Sequence, residues 1–240
     1  MTTPAPTEPV ILITGATGAL GRLTAAAFAP SGARLGLAGR DPGVLAELAA
    51  DVGAPDDRWS PAVGDLRTQE GAAAAVGMVI ERFGRVDIAV HLVGGWVGGT
   101  SIVDLDPDEL RGMLDQHVWS TFHLARAVVP GMTERGWGRI VAVTSAFTAN
   151  PSAHSAPYIA AKSAQEAILR VLAREVGGAG VTVNSVAVRA IDAAHARETA
   201  PTKGNAGWTT PEEIVEAIRF LCSDGAAAIN GARIPLDGRT

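Results

Sequence analysis

The sequence predicts one doubly wound α/β domain on a mostly parallel, seven-stranded sheet. Three observations predict it. Short apolar, β-branched runs alternate with longer helix-forming runs along the chain. That alternation calls for crossover connections and helices on both sheet faces. The length, 240 residues, suits one substantial core. No internal repeat marks a second domain.

Strands are expected at Val10–Ile13, an apolar β-branched run, and at Arg34–Ala38, Arg58–Ala62, Val86–Leu92, Gly138–Thr144, Val181–Ala187 and Arg233–Leu236. Helices are expected at Leu20–Ala29, Gly43–Val52, Gln69–Phe83, Pro107–Glu134, Ser155–Val176 and Pro211–Ser223. Pro107 and Pro211 suit a first helical turn, and the acids after them suit its positive end. The stretch Arg189–Thr210 is polar and lacks a clear period. Residues 1–9, with three prolines and three threonines, read as a disordered leader ahead of a domain at 10–240.

Composition excludes several classes. Net charge is −5 with no basic block, which argues against a nucleic-acid partner. No apolar run reaches the ~20 residues that span a bilayer, so no membrane partner is expected. One cysteine, Cys222, rules out an internal disulfide and suits a reducing, cytoplasmic setting. Its neighbours Ile218, Phe220 and Leu221 suggest a buried helical position. His123 and His195 have no partners at metal-ligand spacing, so no metal is expected.

Two constellations carry chemistry. The run Thr14-Gly15-Ala16-Thr17-Gly18-Ala19-Leu20-Gly21 stands between a predicted strand and a predicted helix. Glycines there let the backbone turn and approach a pyrophosphate, and the helix start supplies free N–H groups. Further on, Tyr158 and Lys162 lie four apart in a helix-forming run, on one helical face. A cation near the phenol would favour its ionised form and make it a better proton shuttle. Ser145 ends an apolar strand thirteen residues before Tyr158. A hydroxyl at a strand's carboxyl end faces the crevice where such sheets bind ligands; capping of the next turn is the alternative.

Together these features resemble the short-chain dehydrogenase/reductase family, in the expected order from Val10 to about Gly238. The resemblance implies hydride transfer between a nicotinamide and a small-molecule substrate. It gives Ser145, Tyr158 and Lys162 catalytic roles, and Lys162 a hold on the cofactor ribose. It implies cofactor contacts from Gly15, Thr17, Gly18, Ala19, Leu20, Gly21, Asp65, Leu66, Val93, Gly94 and Ile191 as well as Tyr158 and Lys162. Asp65-Leu66 corresponds to the pair that the family sets against adenine. The resemblance also makes residues 189–210 a substrate lid and implies a homotetramer or homodimer. At the end of the second strand Gly39 stands where NAD-preferring relatives carry an acid, and Arg40 follows. An arginine there can pair with a 2′-phosphate, so NADP is expected over NAD; a plain surface role for Arg40 is the alternative.

The chain also departs from the family pattern. His117 replaces an asparagine of the central helix that usually supports a water-mediated proton path from the lysine. His91-Leu92-Val93-Gly94 replaces Asn-Asn-Ala-Gly, Val188-Arg189 replaces Pro-Gly, and Ala193 replaces a cofactor-holding threonine. A histidine can donate, accept and titrate near neutrality, so His117 is a candidate fourth catalytic residue holding that relay water; simple packing is the alternative. Trp96, Phe147 and His154 are candidate substrate contacts, with an exposed loop position the competing reading for His154. The segments Gly94–Gly99 and Gln116–Trp119 are similar to parts of dihydropteridine reductase, which leaves pteridine reduction as a second reading. A third is a cofactor-binding sensor or assembly partner with little turnover.

Overall fold

A computed structural model describes residue 4 and residues 6–237. Seven strands form one sheet: β1 (Val10–Thr14), β2 (Arg34–Gly39), β3 (Trp59–Val63), β4 (Ile88–His91), β5 (Gly138–Ser145), β6 (Val181–Val188) and β7 (Arg233–Leu236). Their order is β3-β2-β1-β4-β5-β6-β7, and every pairing is parallel. The order reverses at β1, so β1 and β4 leave a crevice at their carboxyl ends, the usual ligand position in such sheets.

The helices are α1 (Ala19–Phe28), α2 (Pro42–Asp51), α3 (Gln69–Phe83), α4 (Pro107–Leu114), α5 (Ser120–Arg135), α6 (Ala156–Val176), α7 (Ala196–Thr199) and α8 (Pro211–Cys222). Side chains alternate across each strand, so the sheet feeds two cores. On one face Ile11, Ile13 and Leu37 meet Leu20, Leu45 and Ile214 from α1, α2 and α8. On the other, Val10, Leu12 and Ile140 meet Val76, Leu124 and Leu169 from α3, α5 and α6.

Several boundaries differ from expectation for local reasons. The helix expected over 107–134 is broken by a π-helical turn at Asp115–Trp119, where the Ser120 N–H reaches back to the Asp115 carbonyl. Hydrophobic period alone does not distinguish such a turn from an α-helix. Strand β4 starts two residues late because Asp87 serves as an anchor. Its carboxylate accepts from the Val10 amide and from Arg85, both at 2.9 Å. Helix α2 starts at Pro42 because Asp41 caps it, accepting from the Gly43 amide at 2.8 Å. The stretch 189–210 is not featureless. It holds α7, whose first amides are capped by Asp192 at 2.7 and 2.8 Å. Arg197 then pairs with Glu213 of α8 at 2.7 Å.

Of the expected leader, residues 1–3 and 5 lie outside the described residues, as do residues 238–240 at the other end. The leader's last part is held, since Glu8 pairs with Arg58 and Arg34 at 2.9 and 3.1 Å.

Candidate active site

A groove crosses the carboxyl edge of the sheet. Its floor is the loop between β1 and α1. Gly15 has φ +67°, and a Cβ there would lie 2.8 Å from the Leu92 carbonyl oxygen. A Cβ on Gly21 would lie 2.2 Å from the Gly15 oxygen. Only glycine lets this loop close against both β4 and α1. Gly18 begins α1 in an extended conformation, no side chain caps the helix, and no acid occupies its first turn. The exposed amides and positive dipole end therefore face the groove unopposed, which suits a phosphate.

One end of the groove is lined by Gly15, Thr17, Gly18, Arg40, Asp65, Leu66, Val93 and Gly94. Arg40 is exposed there. The structure adds Arg67, which the sequence reading did not single out. It chelates Asp65 with contacts of 2.6 to 3.0 Å and holds that carboxyl below its usual range. The other end is lined by Gly21, Ala19, Leu20, Tyr158, Lys162 and Ile191, together with Arg189 and Ala193.

Ser145, Tyr158 and Lys162 converge at that second end. Ser145 terminates β5 and is 1% exposed. Its Oγ accepts from the Phe147 amide at 3.2 Å, which leaves the O–H to donate elsewhere. Behind it, Arg233 of β7 donates to the Ser145 carbonyl at 2.9 Å and pairs with Glu166 of α6 at 3.1 Å. That pair fixes the peptide carrying the serine.

Burial raises the Tyr158 phenol above its ordinary pKa, and the Glu166 charge adds to this, while the adjacent Ser145 hydroxyl opposes it. The expectation that Lys162 would lower the phenol is therefore corrected. Lys162 is 4% exposed, and its Nζ donates to the Val143 carbonyl at 2.9 Å and to Gln165 Oε1 at 3.0 Å. Burial also pulls the lysine down to about 7, against the pull of Glu166.

His117 is corrected too. It does not titrate near neutrality, because burial and then the Lys162 charge push it to about 3. Its neutral ring donates from Nε2 to the Gly95 carbonyl at 3.2 Å and stands edge-on to Tyr158, 5.7 Å between ring centres. No direct bond joins it to Lys162 among the described residues. His91 is held at about 3 by the same causes. It bridges β1 to α5, with Thr14 Oγ1 on Nδ1 at 2.8 Å and Ser120 Oγ on Nε2 at 3.3 Å.

Three candidate substrate residues do not line the groove. Trp96 is 63% exposed. His154 lies in a separate depression with Ser101 and Ile102, at φ +60°. Phe147 sits beneath the Arg189 guanidinium, 5.8 Å from its ring centre. The missed residues Gln165 and Glu166 carried one signal, their spacing from Lys162 on one helical face. Arg67, Arg233 and His91 carried none beyond residue type. Among the described residues no group of three His, Cys, Asp or Glu converges as a metal site would require. No described helix is long and apolar enough to cross a membrane.

Comparison with known proteins matches residues 9–204 to the short chain dehydrogenase family. This chain belongs to the short-chain dehydrogenase/reductase family. It is 32% identical over 239 residues to the 3-oxoacyl-acyl-carrier-protein reductase FabG of Pseudomonas aeruginosa, covering 95% of this chain and 96% of that protein. It is also 32% identical to D-threitol dehydrogenase of Mycolicibacterium smegmatis, covering 95% and 91%. The levodione reductase crystal structure superposes with a TM-score of 0.87 at 27% identity, covering 98% of both chains. As a short-chain dehydrogenase/reductase this protein is an oxidoreductase that works with a nicotinamide cofactor, NAD or NADP. None of the relatives reported is named for a pteridine, and all three are named as reductases or dehydrogenases.

Proposed function

We propose that this protein is an NADP-preferring oxidoreductase that moves a hydride between the nicotinamide and the carbonyl or carbinol carbon of a small or medium organic molecule. The observation that carries this is a single one: Tyr158 beside Ser145, with Lys162 one turn away, at the end of a groove floored by a glycine loop. When bound, the nicotinamide supplies the hydride. The chain manages the oxygen. The Ser145 O–H fixes it and offsets developing charge. Tyr158 passes a proton to it, a role worth roughly 10²–10⁴-fold in rate. Burial raises the phenol above its ordinary pKa, so it enters the reaction as O–H, the form that gives a proton to a carbonyl oxygen. Lys162 places a cation behind the phenol and presents its remaining N–H to the groove.

The cofactor preference rests on charge. Gly39 leaves no acid to take a ribose 2′-hydroxyl, and Arg40 is exposed at that end with Arg67 nearby. A guanidinium pairs well with a phosphate. Fluorescence titration is expected to show NADPH binding at least tenfold tighter than NADH, with the gap closing in Arg40→Ala. Tighter binding of NADH would overturn the preference. Residues 189–210 act as the substrate lid in this reading, hinged against the Arg197–Glu213 pair.

The same reading is cytoplasmic, with Cys222 buried and its thiol raised to about 12. It includes homo-oligomerisation through the apolar face that Phe122, Val129, Val171 and Leu172 form on α5 and α6, to be read by light scattering.

A further inference from the structure

In the family pattern the lysine reaches solvent through a water supported by an asparagine, and here that asparagine is His117. The structure gives Lys162 another partner on that side. Gln165 lies one turn along α6 and is fully buried. Its Oε1 accepts from Lys162 Nζ at 3.0 Å, and its Nε2 donates to Thr121 Oγ1 at 2.8 Å. Thr121 in turn donates to the His117 carbonyl at 2.6 Å. Thr121 and His117 are 3% and 0% exposed, so the chain of bonds is closed off from bulk solvent along its length.

We propose that Gln165 is the positioning residue that ties Lys162 directly to the central helix, and that this tie is a strut that passes no proton. The polarity of the bonds carries the second half. At each step the donor lies on the Lys162 side and the acceptor on the helix side. An amide nitrogen has no basic lone pair to take up a proton, and the last acceptor is a peptide carbonyl. A proton relay needs groups that both give and receive, as water does. Protons exchanged by Tyr158 and Lys162 therefore travel through the groove that both residues line. The strut also fixes the ammonium's direction. With Val143 and Gln165 taking two N–H groups, the third alone is free for the groove.

This inference rests on reading Lys162 as part of the active site, and its test is chosen to separate the two. The chain has one tyrosine, and Lys162 and Lys203 are its only lysines. Phenolate absorbance thus reads Tyr158 alone, and side-chain NMR of lysine-labelled full-length protein compares buried Lys162 with exposed Lys203. The other titratable groups around Lys162 are His91 on β4, His117 in the π-helical turn, and Tyr158 and Glu166 on α6. Both histidines are neutral across the range scanned.

Gln165→Leu removes an acceptor from the charged lysine. Its titration midpoint is expected to fall by about one pH unit, with Lys203 unmoved. The alkaline limb of the pH–turnover profile falls with it, and turnover drops about tenfold. Gln165→Asn is one methylene shorter and admits a water. It is expected to recover most of that turnover, while Lys162 N–H exchange with solvent rises at least tenfold over wild type. An unchanged midpoint and turnover in Gln165→Leu would overturn the tie. If that variant does not fold, unchanged N–H exchange in Gln165→Asn overturns it instead. Should wild type reduce no carbonyl compound, the reaction reading fails while the NMR data still decide the strut.

Discussion

At the Arg40 end of the groove the groups that face a ligand are backbone amides and exposed side chains, whereas at the Lys162 end they are buried side chains bonded to one another. The difference decides what each end tolerates. Arg40 is exposed, and Arg67 and Asp65 satisfy each other at the surface. A change there alters recognition and leaves folding nearly untouched, since exposed charge pairs contribute only about 0–1 kcal/mol. At the other end Lys162, His91, Ser120, Thr121 and Gln165 are all under 5% exposed. Each polar atom lost there leaves a partner unpaired in a dry site, at a cost of about 1–3 kcal/mol. His91 is bonded to Thr14 and Ser120, and Lys162 reaches Thr121 through Gln165.

Replacing Lys162 should break this contrast most severely. Lys162→Met is expected to lower turnover by roughly 10²–10⁴-fold and to change the pH dependence of stability, while leaving the Val143 carbonyl and Gln165 Oε1 without their donor. The sign follows from linkage. The folded lysine is depressed from 10.5 to about 7, so folding works against a buried charge at any pH below about 7. That cost fades as pH rises from about 7 towards 10.5, the interval in which only the unfolded chain holds the proton. Melting curves should therefore show the variant gaining on wild type as pH falls from 10 to 6. A stability difference that does not change over that range would show that the lysine is well accommodated as a cation.

His91→Leu is a smaller change. It leaves Thr14 and Ser120 without their ring partners and should cost about 1–3 kcal/mol at pH 7.5. The cost should narrow in acid. His91 is depressed from 6.5 to about 3, so wild type loses stability as pH falls through that interval, where only the unfolded chain takes up the proton. The variant lacks that loss. Denaturant curves that stay parallel from pH 7.5 to pH 4 would mean that His91 is not held neutral by its surroundings.

The same contrast explains what the sequence disclosed. The glycine loop and the seven strands were legible because local rules govern them, namely positive φ at Gly15 and apolar runs of strand length. Ser145, Tyr158 and Lys162 were legible through their fixed offsets. The π-helical turn at Asp115–Trp119 was not, because α-helix flanks it on both sides and no residue type marks the extra residue. Gln165 was hidden for a different reason. Its partner Thr121 lies 44 residues away, and a polar residue on a helix reads as solvent-facing until the tertiary packing is known. The two pKa expectations failed for that cause as well. Burial acts first on Lys162, Tyr158, His91 and His117, and sequence spacing reports only neighbouring charge.

The most direct test compares wild type with Tyr158→Phe, measuring NADPH binding by fluorescence and NADPH oxidation by absorbance across a panel of ketones and aldehydes. Wild type should oxidise NADPH with at least one carbonyl compound. The variant should still bind NADPH and lose at least 10²-fold in turnover on that compound at saturating cofactor. Full turnover in Tyr158→Phe would contradict the assignment of the phenol as the proton donor. No oxidation by wild type across the panel would contradict the proposed reaction itself.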